Sequence, residues 1–165
     1  MAAKGAKQEK KKDQKAPDGV KPIANNRRAF HDYEVLEQVA AGLVLQGSEV
    51  KSLRNGQVSF ADAHARIQNG EAWLVDLHIA AYQHGGYANH VPDRPRKLLL
   101  HKREMLKLKQ KLERQGLTIV PLELYFRRGY AKVKLGVCRG RKLHDKREAL
   151  KKAADRRDQD RARAR

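Results

Sequence analysis

Period-two alternation of apolar and polar positions runs through the middle of this chain. Ala61, Ala63, Ala65 and Ile67 interleave with Asp62, His64, Arg66 and Gln68, the pattern of a strand with one face buried. Asn69-Gly70 follows, a pair that tolerates positive φ at both positions and so suits a two-residue hairpin turn. The return strand is expected to bring Trp73, Val75, Leu77 and Ile79 onto one face. A second alternation starts at Thr118 and continues through Val120, Leu122, Leu124 and Phe126, with Pro121 implying an edge position or a bulge. Arg127-Arg128-Gly129 turns the chain, after which Ala131, Val133, Leu135 and Val137 face inward. That throws Tyr130, Lys132, Lys134 and, at the end, Arg139 outward. Cations at two-residue spacing stand roughly 6 to 7 Å apart, near the phosphate repeat of a nucleic acid. An edge strand using lysine against aggregation would look the same. His31 to Leu45 reads as a long strand bent or bulged near Ala40-Ala41-Gly42, and Lys97 to Leu100 as a short one.

Helical spacing is confined to two places. Ser48 is a good N-cap for a short helix through Glu49 to Arg54, with Asn55-Gly56 as its stop. Glu49 then lies in the first turn, where the dipole favours an anion, and Lys51 and Arg54 share one face. A strand feeding such a helix is a rigid mount for phosphate-binding groups, although an ordinary connector with solvated charges fits the spacing as well. His101 to Gln115 carries a Met105, Leu108 and Leu112 stripe and ends at Gly116, with Lys102, Lys107, Lys109 and Lys111 on the other face. Five or six strands with a helix between the late ones fit a mainly β fold, a small closed antiparallel barrel of the oligonucleotide-binding (OB) type. Strand count alone leaves an SH3-like barrel or an α+β sheet open.

Charge narrows the function. With 165 residues and 40% hydrophobic content the chain can build one modest core, and a formal net charge of +18 calls for a polyanionic partner. Membrane is the weaker choice, because no apolar run approaches the ~20 residues needed to span and the basic tail lacks an apolar face. The lysine-rich start is not followed by a hydrophobic region, so no signal peptide is expected. Residues 1–24 read as a disordered basic arm, 25–139 as a barrel domain that binds nucleic acid, and 140–165 as a basic tail. That tail is too charged to order itself, yet 145–164 contains neither proline nor glycine and is rich in helix formers. It should be disordered when free and helical when a polyanionic surface holds it, a permanently solvated tail being the alternative.

Candidate chemistry points to binding and away from catalysis. Arg27 and Arg28 stand just before Phe30, His31 and Tyr33, so base-stacking groups neighbour phosphate-binding ones, with core packing the preferred role for Phe30. Tyr82 to Pro95 is a loop punctuated by Gly85-Gly86, Pro92 and Pro95 and containing Tyr82, His84, Tyr87 and His90, a candidate nucleic-acid surface. The spacing of His78, His84 and His90 matches no common zinc pattern, so neither metal nor cofactor is expected. The single cysteine, Cys138, fits a reducing cytoplasm and an inert buried thiol. No nucleophile–base pair or glycine-rich phosphate loop is recognisable, so the chain is expected not to be an enzyme.

The segment from Ala41 to Arg54, A-G-L-V-L-Q-G-S-E-V-K-S-L-R, resembles the signature of the SsrA-binding protein (small protein B) family. The resemblance continues in Asn26-Arg27-Arg28-Ala29, Asn69-Gly70-Glu71 and Arg96-Lys97-Leu98-Leu99-Leu100-His101. It extends through Gly129-Tyr130-Ala131-Lys132-Val133-Lys134-Leu135-Gly136 to Gly140-Arg141-Lys142-Leu143-His144-Asp145-Lys146-Arg147, covering about 25–147. It implies the OB-type barrel. It also implies a bacterial partner of transfer-messenger RNA in trans-translation, gripping the tRNA-like part of that RNA and sending its tail into the decoding centre and empty mRNA channel of a stalled ribosome. Implied partners are transfer-messenger RNA, small-subunit ribosomal RNA and elongation factor Tu with the charged RNA, and a monomer is expected when free. For gripping RNA the resemblance and the charge pattern single out Asn26, Arg27, Arg28, Lys51, Arg54, Lys97, Leu99, Lys132 and Lys134. For the decoding centre they single out Gly140, His144, Asp145, Lys146 and Arg147. The family commonly has an acidic residue where this chain has Ala40, so Glu37 or Glu49 either replaces that contact or the contact is absent. A ribosomal or general structured-RNA-binding protein with basic extensions is the alternative that composition alone leaves standing.

Overall fold

The computed structural model describes residues 19–141, 150–157 and 159. The expectations for the N-terminal arm before residue 19, and for His144, Asp145, Lys146 and Arg147, fall outside them. The chain is mainly β. Strand β1 (Val20–Asn25) begins ahead of the boundary expected at residue 25, because it pairs antiparallel with the second half of β8 (Thr118–Arg127). A short helix α1 (Arg27–Asp32) leads into β2 (Tyr33–Leu43), and α2 (Gly47–Arg54) follows. Then come β3 (Val58–Ser59), the hairpin of β4 (His64–Gln68) and β5 (Glu71–Val75), β6 (His78–Ile79) and β7 (Arg96–Leu99). Helix α3 (Lys102–Gln115), β8 and β9 (Tyr130–Gly140) complete the described body, and positions 150–157 are helical and exposed.

One sheet runs β1-β8-β4-β5-β7-β2-β9, and β8 also pairs with β9. The pairings from β8 through β4, β5, β7, β2 and β9 therefore return to β8. β9 is hydrogen-bonded on both sides, to β2 and to β8, which removes the edge-strand reading of Lys132 and Lys134. Inside lies one cluster that includes Leu74, Leu77, Ile79, Leu124, Val133 and Leu135, covered by Leu108, Met105 and Leu112 of α3. A smaller cluster of Ala29, Val120, Leu122 and Cys138 packs beneath α1 on the opposite face of β8 and β9.

The hairpin turn forms as its sequence predicts, with φ of 51° at Asn69 and 72° at Gly70, and α3 ends at Gly116 in the left-handed conformation. Several expectations need correcting. Trp73 does not share a face with Leu77 and Ile79: Ala72 and Leu74 of β5 join the core cluster with them, Val75 is buried outside it, and Trp73 is half-buried. Asp76 has φ of 57°, and that kink resets the alternation between β5 and β6. The irregularity in β2 falls between Val35 and Glu37, not near Ala40-Gly42. In β8 a bulge between Pro121 and Glu123 does the same, sending Val120 and Leu122 to one cluster and Leu124 and Phe126 to the other. Phe30 is 49% exposed, because Ala29 is the residue α1 turns inward.

Candidate nucleic-acid interface

Four strands and one helix enclose a groove of about 750 Å³ lined by Ala40, Gly42, Lys97, Leu99, His101 and Lys132, among others. β2 and β7 approach closely here: Gly42 pairs with Leu99, and a Cβ at Gly42 would lie 3.2 Å from that of Leu99. The narrow approach leaves Leu99 55% exposed at the groove wall, an apolar surface between cations. Lys97 and Lys132 enter from β7 and β9, which are not paired with each other but both pair with β2. Lys97 is ion-paired to Glu71 across the β5–β7 contact. Among the described residues Lys132 makes no salt bridge. Lys134 extends the row along the same face of β9, opposite Ala40 on β2 and Glu123 on β8, and its Nζ lies 2.7 Å from Glu123 Oε2.

The groove thus gathers Lys97, Leu99 and Lys132 and sets Lys134 beside them. The other candidates lie elsewhere. Lys51 and Arg54 are exposed on α2, Arg54 at a second concavity with Lys21 and Arg128. Arg27 and Arg28 are exposed on α1, where Arg28 Nε donates to Asp32 Oδ2 at 3.2 Å. Gly140 is exposed at the end of β9, paired with Tyr33. Asn26 is different, being buried with its side chain committed to the fold. Its Oδ1 accepts from Ala29 N, capping α1, and its Nδ2 donates to Pro121 O. These bonds give Asn26 a role in fixing α1 against β8 beside the RNA contact expected of it.

The acidic residue that Ala40 lacks has no substitute in Glu49. That carboxylate is fully buried beneath the groove's supporting elements. Glu49 Oε1 accepts from Arg96 Nε at 2.8 Å and Arg94 Nε at 2.9 Å, and Oε2 accepts from the backbone N–H of Gln46. Burial pushes the Glu49 carboxyl up, but bonds from Arg94, Gln46 and Arg96 outweigh it and hold the pKa below the ordinary value. Burial also pulls the Arg96 guanidinium down, against the pull of Glu49. Glu37 is ion-paired to Lys111 of α3. Ser48, expected to cap α2, instead meets His90 through its Oγ, and Gln46 holds the cap position.

Sequence reasoning missed this cluster, in which Glu49 and Arg96 are fully buried and Arg94 is partly exposed. The available signal was two arginines at period-two spacing around Pro95, running into an apolar strand. Cys138 is buried as expected, and burial raises its thiol to about 11. No described helix is long and apolar enough to cross a membrane.

Comparison with known proteins converges on one family. The family model described as SmpB protein matches residues 23–165. The SsrA-binding protein of Roseiflexus castenholzii is 55% identical over 141 residues, covering 85% of this chain and 89% of the relative. That of Desulfitobacterium hafniense is 52% identical over 135 residues, covering 82% and 86%. A chain from the solved structure described as "tmRNA-SmpB: a journey to the center of the bacterial ribosome" superposes with a TM-score of 0.65 at 54% identity, covering 79% of this chain and 95% of that one. A match spanning the groove, α2 and the tail, at half-identity with several relatives, places this chain in the SmpB protein family.

Proposed function

We propose that this protein binds the tRNA-like part of transfer-messenger RNA and delivers it to stalled bacterial ribosomes in the cytoplasm for trans-translation. The observation that carries the reading is the groove. Lys97, Leu99 and Lys132 come from segments far apart in sequence yet line one concavity in a chain that is half-identical to SsrA-binding proteins. The closed circuit of antiparallel pairing supports an OB-type barrel, which presents such a groove to nucleic acid. Cations at strand spacing meet phosphates, and Leu99 offers an apolar surface to a base or ribose, so shape and backbone count for more than base sequence. Arg27, Arg28, Lys51 and Arg54 add phosphate contacts from the two helices.

The tail from Gly140 onward enters the decoding centre and the vacant mRNA channel, with His144 stacking on a ribosomal base, Lys146 and Arg147 meeting phosphates, and Asp145 completing the motif. Expected partners are small-subunit ribosomal RNA and elongation factor Tu with the charged RNA. The protein acts as a binder and not a catalyst. A gel-shift competition at moderate salt tests the assignment: transfer-messenger RNA should displace bulk ribosomal RNA and ordinary tRNA. Equal binding to all three would favour a general structured-RNA-binding protein, and cleavage of the RNA on long incubation with Mg²⁺ would make it a nuclease.

A further inference from the structure

Cations belong in a groove that meets RNA, but a carboxylate works against the phosphates. Among the described residues two carboxylates line this groove, Glu71 and Glu104. Glu104 is committed to the fold: it caps α3, its Oε2 accepting from the backbone N–H of His101 at 3.1 Å. Glu71 has no such duty. It opens β5 one position before the buried Ala72, so it stands on the outer face of the sheet. Lys97 Nζ donates to Glu71 Oε1, and among the described residues no hydrogen bond reaches Oε2. The two side chains are 41% and 42% exposed, and a pair so open to water adds little to stability. The fold does not need this carboxylate where it stands.

Register fixes its surroundings. Ala72 pairs with Leu98, which sets Glu71 beside Leu99 on the outer face. Gly42 pairs with Leu99 on one side and with Lys132 on the other, so those two residues are two strand spacings apart, about 10 Å, with no side chain between them. A base lying on Leu99 therefore has Glu71 and Lys97 along one edge, while its own phosphate reaches toward Lys132. An ammonium donor next to an open carboxylate acceptor matches the Watson–Crick edge of a base, where acceptors and N–H donors are neighbours. A phosphate offers acceptors alone and is repelled by Glu71. A base already paired in a helix has spent its donors. Every base carries an N–H on that edge, so what is selected is an unpaired base and not one sequence.

We infer that Glu71 is a specificity-determining residue of the groove: its carboxylate accepts from the N–H of one unpaired base of transfer-messenger RNA lying on Leu99, and it turns away RNA that offers backbone phosphate alone. The inference rests on the reading that the groove holds transfer-messenger RNA, and it deepens that reading by naming the group recognised there. Lys132 supplies attraction to any RNA, and Glu71 supplies the discrimination.

The test measures affinity of the full chain for purified transfer-messenger RNA and for a fully paired RNA duplex. Glu71→Ala should weaken binding to transfer-messenger RNA about 5- to 150-fold, the range for a base edge held at two points. The same variant should bind the duplex as before or up to about five-fold tighter, since a repelling charge has gone. Glu71→Gln keeps an acceptor oxygen and should lose less for transfer-messenger RNA than Glu71→Ala. Lys132→Ala removes a cation and should weaken both RNAs alike. Thermal unfolding of the Glu71 variants should match wild type. If Glu71→Ala tightens both RNAs together, Glu71 does no more than mask Lys97, and if both weaken or neither changes, it serves the sheet alone; each of these results overturns the inference. If the wild type itself fails to prefer transfer-messenger RNA over ordinary tRNA, it is the underlying function that fails.

Discussion

Glu49 and Arg96, 47 positions apart in sequence, are both fully excluded from solvent and meet with Nε 2.8 Å from Oε1. Arg94 completes the set from the rim of the burial, and Arg96 Nη1 also donates to Leu77 O. This cluster joins α2 to β7 and so holds the helix bearing Lys51 and Arg54 against the strand bearing Lys97 and Leu99. Two elements of the proposed RNA surface share one internal brace.

Removing one partner of a buried pair leaves the other charge uncompensated, which typically costs about 3–5 kcal/mol. Glu49→Gln should therefore lower stability by about that amount in urea unfolding, far more than the ~0–1 kcal/mol expected of the half-exposed Lys134–Glu123 pair. The pH dependence follows from the depressed folded pKa of Glu49. The unfolded carboxyl, near 4.5, binds protons that the folded one refuses, so the stabilisation is complete above that value and is lost as pH falls through the lower folded one. Wild-type unfolding free energy should drop over that acid range, and the Glu49→Gln variant should lack this component.

Lys132 and Lys134 face outward from a strand paired on both sides, where lysine has no part in protecting an edge. Replacing each with alanine should weaken binding to transfer-messenger RNA and reduce the slope of log affinity against log salt by roughly 0.7 to 0.9 per lysine. An unchanged slope would take them out of the interface.

Cys138 is enclosed by Ala29, Val120 and Leu122, with Sγ 3.3 Å from Gly136 O. With its thiol raised to about 11, only about one in a thousand is thiolate at pH 8. Iodoacetamide should leave the native protein nearly unmodified at that pH and label its one thiol promptly in urea. Rapid native labelling would show that the packing beneath α1 opens readily.

The tail can be removed without cutting the sheet. Gly140 pairs with Tyr33, and Arg141 N donates to Asp32 O at 3.1 Å, so a deletion of 142–165 keeps both contacts. It should leave affinity for transfer-messenger RNA nearly unchanged and abolish peptide tagging on stalled ribosomes. A large loss of affinity would show that the tail also grips the RNA.

Local order was legible from the chain alone. The Asn69-Gly70 turn pairs Gln68 with Glu71, β9 turns Val133 and Leu135 inward and its lysines outward, and α3 buries Leu108. Each depends on residues within a few positions of one another, where backbone period and turn chemistry decide the outcome. Nothing local could show that Asp76 would take positive φ and shift the inward set from Trp73 to Leu74, since such a residue persists only when the surrounding fold imposes it. The same holds for Asn26 reaching Pro121 and for Glu49 meeting Arg96. A sequence records which side of each element avoids water, but which buried polar groups find one another depends on how those sides come together, and that is settled only when the sheet closes around its core.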